Sequence, residues 1–573
     1  MPRPPPAAHR LRREPNANST YNERVVPTCF RLRRRLALGP GAGVVLVLAT
    51  LLLSGSWCRA QAPEPAASPA PPDRGRILLV LPFDNRSGQP NLEWIREAAA
   101  DLLTSRFASA GFAPMTRADR EYALDHLGLP PGFQPSRASA LKLAQTLDAD
   151  SIVVGSFSLD GKDIVAEGQI VNVPHLRMTE PVSARGPMDD MVGVFDSLAW
   201  KLTRELDPRF SVAESTFVAA GRNIRIAAYE QYIRGITEPD QAERLRHLQQ
   251  AVKLSPDFSP AWMALGREQY NAQQYDQAAL AFAKVDRGSD ALEAGFDRGL
   301  SLLYSGNYPG AQQAFVAVAR TLPLASVVNN EGVAVSRQGH DGTALFVQAA
   351  ADDPDNPDYH FNLAVSLMRH GNGTAAANEL EQCLKLRPGD SEALSLLDAW
   401  KHPAVTPAST GGDPPPDPLE RIARTFDAAA FRQAAQMLDQ IDAARMKALA
   451  QPERAQMLCA QASGYLDRGL LLEAERLYRE AAAGDPQSVE AHVGLARVRQ
   501  HTGDLNGARK EAQAALALDP SAGAYVILAQ LDLAGNHLKE AEDEARSALR
   551  IEPTSAPAEQ VLQQILARTG HPQ

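Results

Sequence analysis

The chain has 573 residues and a formal net charge of −10 at pH 7. This is too long for a single hydrophobic core, so we expect about two to four domains. The charge is uneven, because the first 62 residues contain ten arginines and no lysine against two glutamates, which leaves −18 on the remainder. An acidic body of this kind is not suited to holding a phosphate backbone, which argues against nucleic acid as a partner.

The basic head of the chain has the features of an export segment. Four arginines within residues 31–35 precede an uncharged run, and the small residues Ala60 and Ala62 stand where a signal peptidase reads. Residues 31–62 therefore predict a signal peptide or, since the run is long enough to span a bilayer, a single N-terminal membrane anchor. Both alternatives place the rest of the chain in the cell envelope, either free in the periplasm or anchored at the inner membrane.

Two further segments flank this head. Residues 1–30, rich in Pro and Arg, predict a disordered tail, or a start codon assigned too early. Residues 63–75 predict a solvent-exposed linker, because their Pro and Ala content favours an extended backbone.

Residues 76–215 alternate between strand and helix patterns. An "ADSIVVGSFSL" run and a "DIVAEGQIVNV" run meet at "DGKD", which is a strong hairpin signal between β-branched segments. The mixture predicts an α/β sandwich with an antiparallel hairpin. We expect strands at 77–83, 112–115, 151–159, 163–173 and 176–183, and helices at 94–109, 120–127, 137–147 and 189–206.

The motif "LPFDNRSG", followed by an amphipathic helix and the hairpin, resembles the amino-terminal domain family of TolB. Related domains occur in FlgO-like and CsgG-like envelope proteins. The resemblance covers about a quarter of the chain and implies an assembly or adaptor domain without catalytic residues. One departure is the insertion "HLGLPPGFQPSRAS", which changes the surface that such a domain would present.

The loop after the first strand does not predict a nucleotide site. A phosphate loop needs several glycines and a Lys-Ser/Thr pair at the start of the helix. "FDNRSGQPNLEW" has one glycine, no lysine and an acidic Glu93. Its polar side chains are ordinary turn formers, and Asn91 is placed to cap the helix.

From residue 224 onward the sequence repeats itself. Pro486, Pro520 and Pro553 close three successive units and lie 34 and 33 residues apart, with alanines at matching offsets. The pattern resembles the tetratricopeptide repeat (TPR), in which small residues lie where paired helices touch. An earlier block has the same phase with more drift. We expect a first TPR array at 224–400, a Pro-rich linker at 401–418, and a second array at 419–573 ending in a capping helix; the chain is predominantly α overall.

Chemistry is sparse in these repeats. No zinc motif and no nucleophile elbow is present in the sequence, so we predict no enzyme activity, no metal and no cofactor. Beyond the export segment, the cysteines are Cys383 and Cys459, which stand in separate blocks where helix packing wants a small side chain. They are predicted to be buried free thiols rather than a disulfide.

The remaining candidate for a binding site is the groove that the first helix of each repeat lines. Aromatic side chains give contact area, Asn bonds a peptide backbone and Arg takes a carboxylate. The alternative is that several of these side chains fill gaps between repeats. The repeat offset selects Met263, Arg267, Tyr270, Asn271, Phe296, Tyr304, Asn329, Arg337, Phe361 and Arg369 as candidate peptide-binding residues.

The sequence therefore predicts a non-enzymatic, exported scaffold of bacterial type that holds extended or helical segments of partner proteins. A sensor is the alternative, in which the α/β domain binds a small ligand and the repeats relay its occupancy. A third reading, an enzyme with scattered active-site residues, has no motif in its favour.

Overall fold

A computed structural model of the protein describes residues 76–130, 132–221, 224–288, 290–402 and 418–569. The predicted tail, export segment and first linker, residues 1–75, lie outside the described residues, as does most of the predicted second linker. Among the described residues no helix is both long and apolar enough to cross a membrane.

The first part is an α/β domain whose sheet carries helices on both faces. The strand order is β3-β1-β4-β5-β6, with β2 also paired to β4 and β7 to β5. Strand β1 pairs in parallel with β3 and β4. Strand β5 pairs antiparallel with β4 on one side and with β7 on the other. The strands are β1 Ile77–Val80, β2 Asp84–Asn85, β3 Ala113–Pro114, β4 Ser151–Asp160, β5 Asp163–Asn172, β6 Arg177–Met178 and β7 Val182–Pro187.

The helices of this domain pack in two layers. The helix bounds are α1 Trp94–Ser109, α2 Arg117–His126, α3 Arg137–Thr146, α4 Met191–Leu206 and α5 Glu214–Ala219. Helices α1 and α4 share one core with the sheet, which includes Phe83 and Phe157, and α2 and α3 cover the other face through Leu124 and Leu143. Burial on both faces fixes the register of the central strands.

The structure confirms the helix predicted at 94–109 and the hairpin at "DGKD", where Asp160 pairs with Asp163. The predicted strand 176–183 is wrong as one element. It divides into β6 and β7, and Leu176 takes a positive φ of 51° in the turn before β6. The prediction that Asn91 caps α1 is also wrong. Asn91 lies within a 3-10 turn, Pro90–Leu92, and Glu93 precedes α1 without a side-chain cap.

The remainder consists of helix pairs. In the first array they are α6 Ile226–Thr237, α7 Gln241–Leu254, α8 Ser259–Asn271, α9 Tyr275–Phe282, α10 Ala291–Tyr304, α11 Tyr308–Thr321, α12 Ala325–Arg337, α13 Thr343–Asp352, α14 Pro357–Arg369, α15 Gly373–Leu386 and α16 Ser391–Lys401. In the second they are α17 Ala428–Lys447, α18 Gln451–Asp467, α19 Leu471–Gly484, α20 Val489–His501, α21 Leu505–Leu518, α22 Ala522–Ala534, α23 Leu538–Ile551 and α24 Ala556–Thr569.

In some helix pairs of the first array, a glycine of one helix faces an aromatic ring of the other. A Cβ added at Gly299 would lie 2.6 Å from the Phe315 ring, and one added at Gly332 would lie 2.8 Å from Phe346. The missing side chain therefore makes the space that the ring fills, as the repeat pattern predicts. Cys383 and Cys459 are buried free thiols, as expected.

The α/β domain is continuous with the first repeats. Tyr229 of α6 lies in the same core as α1, and its hydroxyl donates to Asp101 Oδ2 at 2.7 Å. Tyr232 donates to the other carboxylate oxygen at 3.4 Å. Burial raises the pKa of Asp101 to about 6. This domain and the first array are therefore packed together rather than joined by a free linker.

The second array also contacts the α/β domain. Leu472 of α19 belongs to the core of that domain. The carboxylate of Glu475 is fully buried, accepts from the Ala213 N–H at the start of α5 (3.4 Å), and is held by Arg479 at 2.8 Å. The second array thus rests on the end of the first domain.

Candidate peptide-binding groove

Residues 418–427, here called the inner segment, lie against the first helices of the last repeats in the first array. They have no helical or strand structure, and α17 begins directly after them. The sequence predicted residues 419 onward as the start of the second array. The structure differs, because polar side chains of α12 and α14 take up the backbone groups of this segment.

Two asparagines bind the inner segment through its backbone. Asn362 Nδ2 donates to the carbonyl oxygen of Arg421 (2.7 Å), and the Arg421 N–H donates to Asn362 Oδ1 (2.6 Å). Asn330 makes the same pair of bonds to Ala423, over 2.8 and 2.9 Å. Asn329 adds a bond to the Arg421 carbonyl at 3.1 Å and is itself held by Asn362. An amide side chain that meets both groups of one residue acts as a neighbouring strand would.

The carboxylate of Glu420 enters a basic pocket and is almost completely buried. Arg369 and the Ser336 hydroxyl both bind Glu420 Oε1, and Arg337 Nε lies 3.7 Å from Glu420 Oε2. Arg369 also donates to the carbonyl of Pro418 at 2.7 Å. A buried carboxylate needs such partners, since an unpaired charge would be costly to desolvate.

The side chain of Arg421 enters an acidic pocket beside the basic one. It donates to both oxygens of Asp390, at 2.6 and 2.7 Å, and to Asp358 at 2.9 Å and Glu392 at 3.0 Å. Its guanidinium carbon lies 3.6 Å from the centroid of the Phe361 ring. Hydrogen bonds from Arg421, with help from the Ala393 N–H, lower the pKa of Asp390 to about 2. The paired charges and the stacked ring make this a specific guanidinium site.

An aromatic contact fixes the far end of the inner segment. Phe426 lies 5.7 Å from the centroid of Phe296 on α10 and 5.9 Å from Phe431 on α17. Ile422 packs against the same core of the first array. The inner segment is therefore held along its length by charge at one end and by apolar contact at the other.

Five of the ten predicted residues contact the inner segment, all of them on α10, α12 and α14. They are Phe296, Asn329, Arg337, Phe361 and Arg369.

The other five lie toward the start of the array. Tyr270 and Tyr304 pack edge to face, 5.9 Å apart, and Arg267 pairs with Glu293 at 2.6 Å. Asn271 is exposed at the end of α8. The prediction that Met263 lines the groove is wrong, because its side chain is buried in the core with Phe282 and is not open to a ligand.

The sequence reasoning missed the two asparagines that pair with the backbone. Asn330 and Asn362 stand 32 residues apart, one position after the predicted Asn329 and Phe361. Testing the neighbouring offset for a recurring amide would have found them. Asp390 had no comparable signal, because it caps α16 through the Ala393 N–H and reads as an ordinary turn residue.

A second cavity of about 500 Å³ lies on the α/β domain. Its walls come from β4, β5 and α3 and include the charged side chains of Arg86, Arg137 and Glu167. Arg86 and Glu167 lie 4.0 Å apart in its lining, and both side chains are more than half exposed.

The tetratricopeptide repeat family model matches residues 338–399 and 465–526, one stretch in each array. The chain contains tetratricopeptide repeats. The first matched stretch includes two residues of the groove, Arg369 at the end of α14 and Asp390, which caps α16. No curated protein matches the sequence.

Several solved structures resemble parts of the chain at low identity. MamA from Desulfovibrio magneticus RS-1 is 22% identical over 30% of this chain and 100% of its own, with a TM-score of 0.27. YrrB, described as a TPR protein with an unusual peptide-binding site, is 16% identical over 35% of this chain and 97% of its own, with a TM-score of 0.26. The LpoB C-terminal domain from Salmonella enterica is 22% identical over 20% of this chain and 84% of its own, with a TM-score of 0.18. At this level of similarity none of them identifies a partner.

Proposed function

We propose that the protein is a non-enzymatic scaffold of the cell envelope, whose first TPR array holds extended segments of partner proteins. The observation that carries the proposal is the pairing of Asn330 and Asn362 with both backbone groups of Ala423 and Arg421. Because these bonds are made to the main chain, the same side chains suit an extended peptide of another protein.

The envelope location rests on the sequence of residues 31–62, with its arginine cluster, uncharged run and small residues. The α/β domain, which resembles the TolB amino-terminal family in its motifs, would serve as the part that positions the arrays. Fractionation of cells that express tagged full-length protein tests this. Recovery in the cytoplasmic fraction would contradict the proposed location, and the apparent mass of the tagged protein reports whether the head is removed.

The scaffold role is tested by affinity purification of the tagged full chain from cell envelopes. The variant Asn330→Ala combined with Asn362→Ala removes the backbone contacts, and we expect it to lose partners that the native chain retains. Asn372→Ala is the matched control, because Asn372 caps α15 and does not touch the inner segment. Partners retained equally by all three proteins would overturn a role for this groove in scaffolding.

A sensor is the second candidate, favoured by the cavity on the α/β domain. Arg86 and Arg137 stand with Asp84 and Glu167 in its lining, which would suit a small ligand that carries both signs of charge. A thermal-shift screen of zwitterionic metabolites tests it, with Arg137→Ala as the variant. A shift in Tm that disappears in the variant would support the sensor, and the absence of any shift would remove this candidate.

A further inference from the structure

We propose that the groove of the first TPR array recognises an extended segment in which a glutamate is followed directly by an arginine and, five positions after that arginine, by a phenylalanine. We further propose that the inner segment of this chain is the internal competitor for that partner. The inference rests on the proposed function and gives it a partner chemistry and a means of regulation.

The first step is the division of labour between backbone and side-chain contacts. Asn362 and Asn330, on the first helices of adjacent repeats, hold residues 421 and 423, which are two apart. Successive repeats therefore read alternate residues of an extended chain, whatever its sequence. These bonds set the register of a bound segment and leave its selectivity to the pockets.

The second step is the order of charge. The glutamate pocket presents Arg337 and Arg369, while the arginine pocket presents Asp358, Asp390 and Glu392. A segment with Arg before Glu in the same register would bring like charges together in both pockets. The site therefore selects Glu-Arg over Arg-Glu through attraction and repulsion together.

The third step is the aromatic position. Phe426 lies against Phe296 and packs on the core that residues of α9 to α14 form. The helices set the distance from the arginine pocket to the Phe296 ring, because Phe361 and Phe296 belong to the packed cores of the array. A ligand must therefore carry its aromatic side chain at a fixed distance after its arginine.

The fourth step is competition. The inner segment is part of the same chain as the groove and continues directly into α17, so its local concentration near the groove is high. For short tethers such effective concentrations are of the order of millimolar. An external segment of the same chemistry must displace it, so the apparent affinity of the native chain is lower than that of an open groove.

The test uses the full chain and a fluorescently labelled peptide, PLERIARTFD, which copies residues 418–427. Glu420→Arg combined with Arg421→Glu opens the groove, because each reversed charge then faces a pocket of its own sign. Arg424→Ala is the control on the same segment, since Arg424 is exposed and Ala423 and Phe426 keep their contacts. Circular dichroism and Tm show that each variant is folded.

We expect the opened variant to bind the peptide at least about tenfold more tightly than the native chain and the Arg424→Ala variant. A peptide with reversed order, PLREIARTFD, should bind the opened variant at least about tenfold more weakly than the native order. Adding Asn330→Ala and Asn362→Ala to the opened variant should abolish binding of both peptides.

Equal affinity of the native and opened chains would overturn the competition, and equal affinity for the two peptides would overturn the charge order. A folded opened variant that binds neither peptide would overturn the partner chemistry. Each of these results leaves the scaffold proposal standing if partner capture from envelopes still depends on Asn330 and Asn362. Loss of that dependence, in turn, contradicts the scaffold whatever the peptides do.

Discussion

Arg421 donates hydrogen bonds to both carboxylate oxygens of Asp390, at 2.6 and 2.7 Å, although the two residues lie on opposite sides of the second linker in the sequence. Asp390 also caps α16 by accepting from the Ala393 N–H at 3.1 Å. One carboxylate therefore orders the end of the first array and holds the inner segment against it.

Docking of the inner segment should weaken in acid. Contact with Arg421 lowers the pKa of Asp390 from 3.8 to about 2, so the docked state favours the ionised form. This contribution is complete above about pH 4 and is lost as the pH falls toward 2. Hydrogen–deuterium exchange of residues 418–427, corrected for intrinsic rates, should show protection falling across that range.

Asp390→Asn should remove this protection already at pH 7, by about tenfold or more, since a neutral amide gives up the charge-assisted bonds. Asparagine is as good a helix cap as aspartate, so α16 should remain. Asp398→Asn, at a largely exposed position of the same helix, is the control and should exchange like the native chain. Unchanged protection in Asp390→Asn would refute the importance of this ion pair.

Proteolysis should report the backbone contacts. We expect trypsin to cut slowly after Arg421 and Arg424 in the native chain, because the backbone at Arg421 and Ala423 is held by Asn362 and Asn330. Each lost hydrogen bond is worth about 0.5–1.5 kcal/mol. Asn330→Ala combined with Asn362→Ala removes four such bonds and should speed cleavage at least about tenfold.

The cap variant Asn372→Ala is the comparison for this experiment. It should cost about 1 kcal/mol of stability through the lost helix cap and leave cleavage of the inner segment unchanged. If both variants are cut equally fast, protection comes from general stability rather than from the asparagines.

Replacing a glycine at a contact between two helices should destabilise the folded chain. Gly299→Ala puts a Cβ 2.6 Å from the Phe315 ring, and we expect a loss of about 1–3 kcal/mol in the free energy of unfolding. Gly464→Ala is the matched change within α18, where nothing lies within 4 Å. It should be neutral or stabilise by up to about 1 kcal/mol, because alanine favours the helix. Urea unfolding of the two variants measures both effects, and similar losses would contradict the packing argument.

The junction of the α/β domain with the first array should respond to pH in the opposite sense from Asp390. Burial raises the pKa of Asp101 from 3.8 to about 6, so the folded state favours the protonated carboxyl. Its contribution to stability is present below about pH 4 and is lost as the pH rises to about 6. Relative to the native chain, Asp101→Asn should therefore gain stability across this range.

We expect a gain of about 2 kcal/mol. One pKa unit corresponds to about 1.4 kcal/mol, and the partial exposure of Asp101 lets water screen part of the effect. Thermal unfolding of both proteins between pH 4 and 7 measures it. Tyr229→Phe removes a hydrogen bond to the ionised carboxylate and should move the response to higher pH. A constant difference between native and Asp101→Asn proteins would refute the raised pKa.

Periodicity made much of the fold predictable. The helix at 94–109 has the observed ends, and the closing residues Pro486, Pro520 and Pro553 all lie just after the second helix of a pair. The strand at 176–183 could not be predicted correctly, because its division depends on a turn at Leu176 and on pairing of both parts with β5.

The sequence allowed prediction of residues on the helices that line the groove, but not of the inner segment that lies in it. Repeat offsets reach Asn329, Arg337 and Arg369, because these recur with the helices. The inner segment has no periodic pattern of its own and stands after a Pro-rich stretch, so local sequence gives no reason to place it in the groove. Its position follows from charge and backbone pairing with residues about 30 to 90 positions away.

The contact of α19 with α5 has a mechanical consequence. Leu472 and Glu475 are buried against the start of α5, so the second array is attached to the α/β domain independently of the linker between the arrays. A pull applied to the C-terminal end would meet this contact through α19 as well as the inner segment through α17. Under tension the protein would have two attachments to break in parallel, and the load at which the groove opens would depend on both.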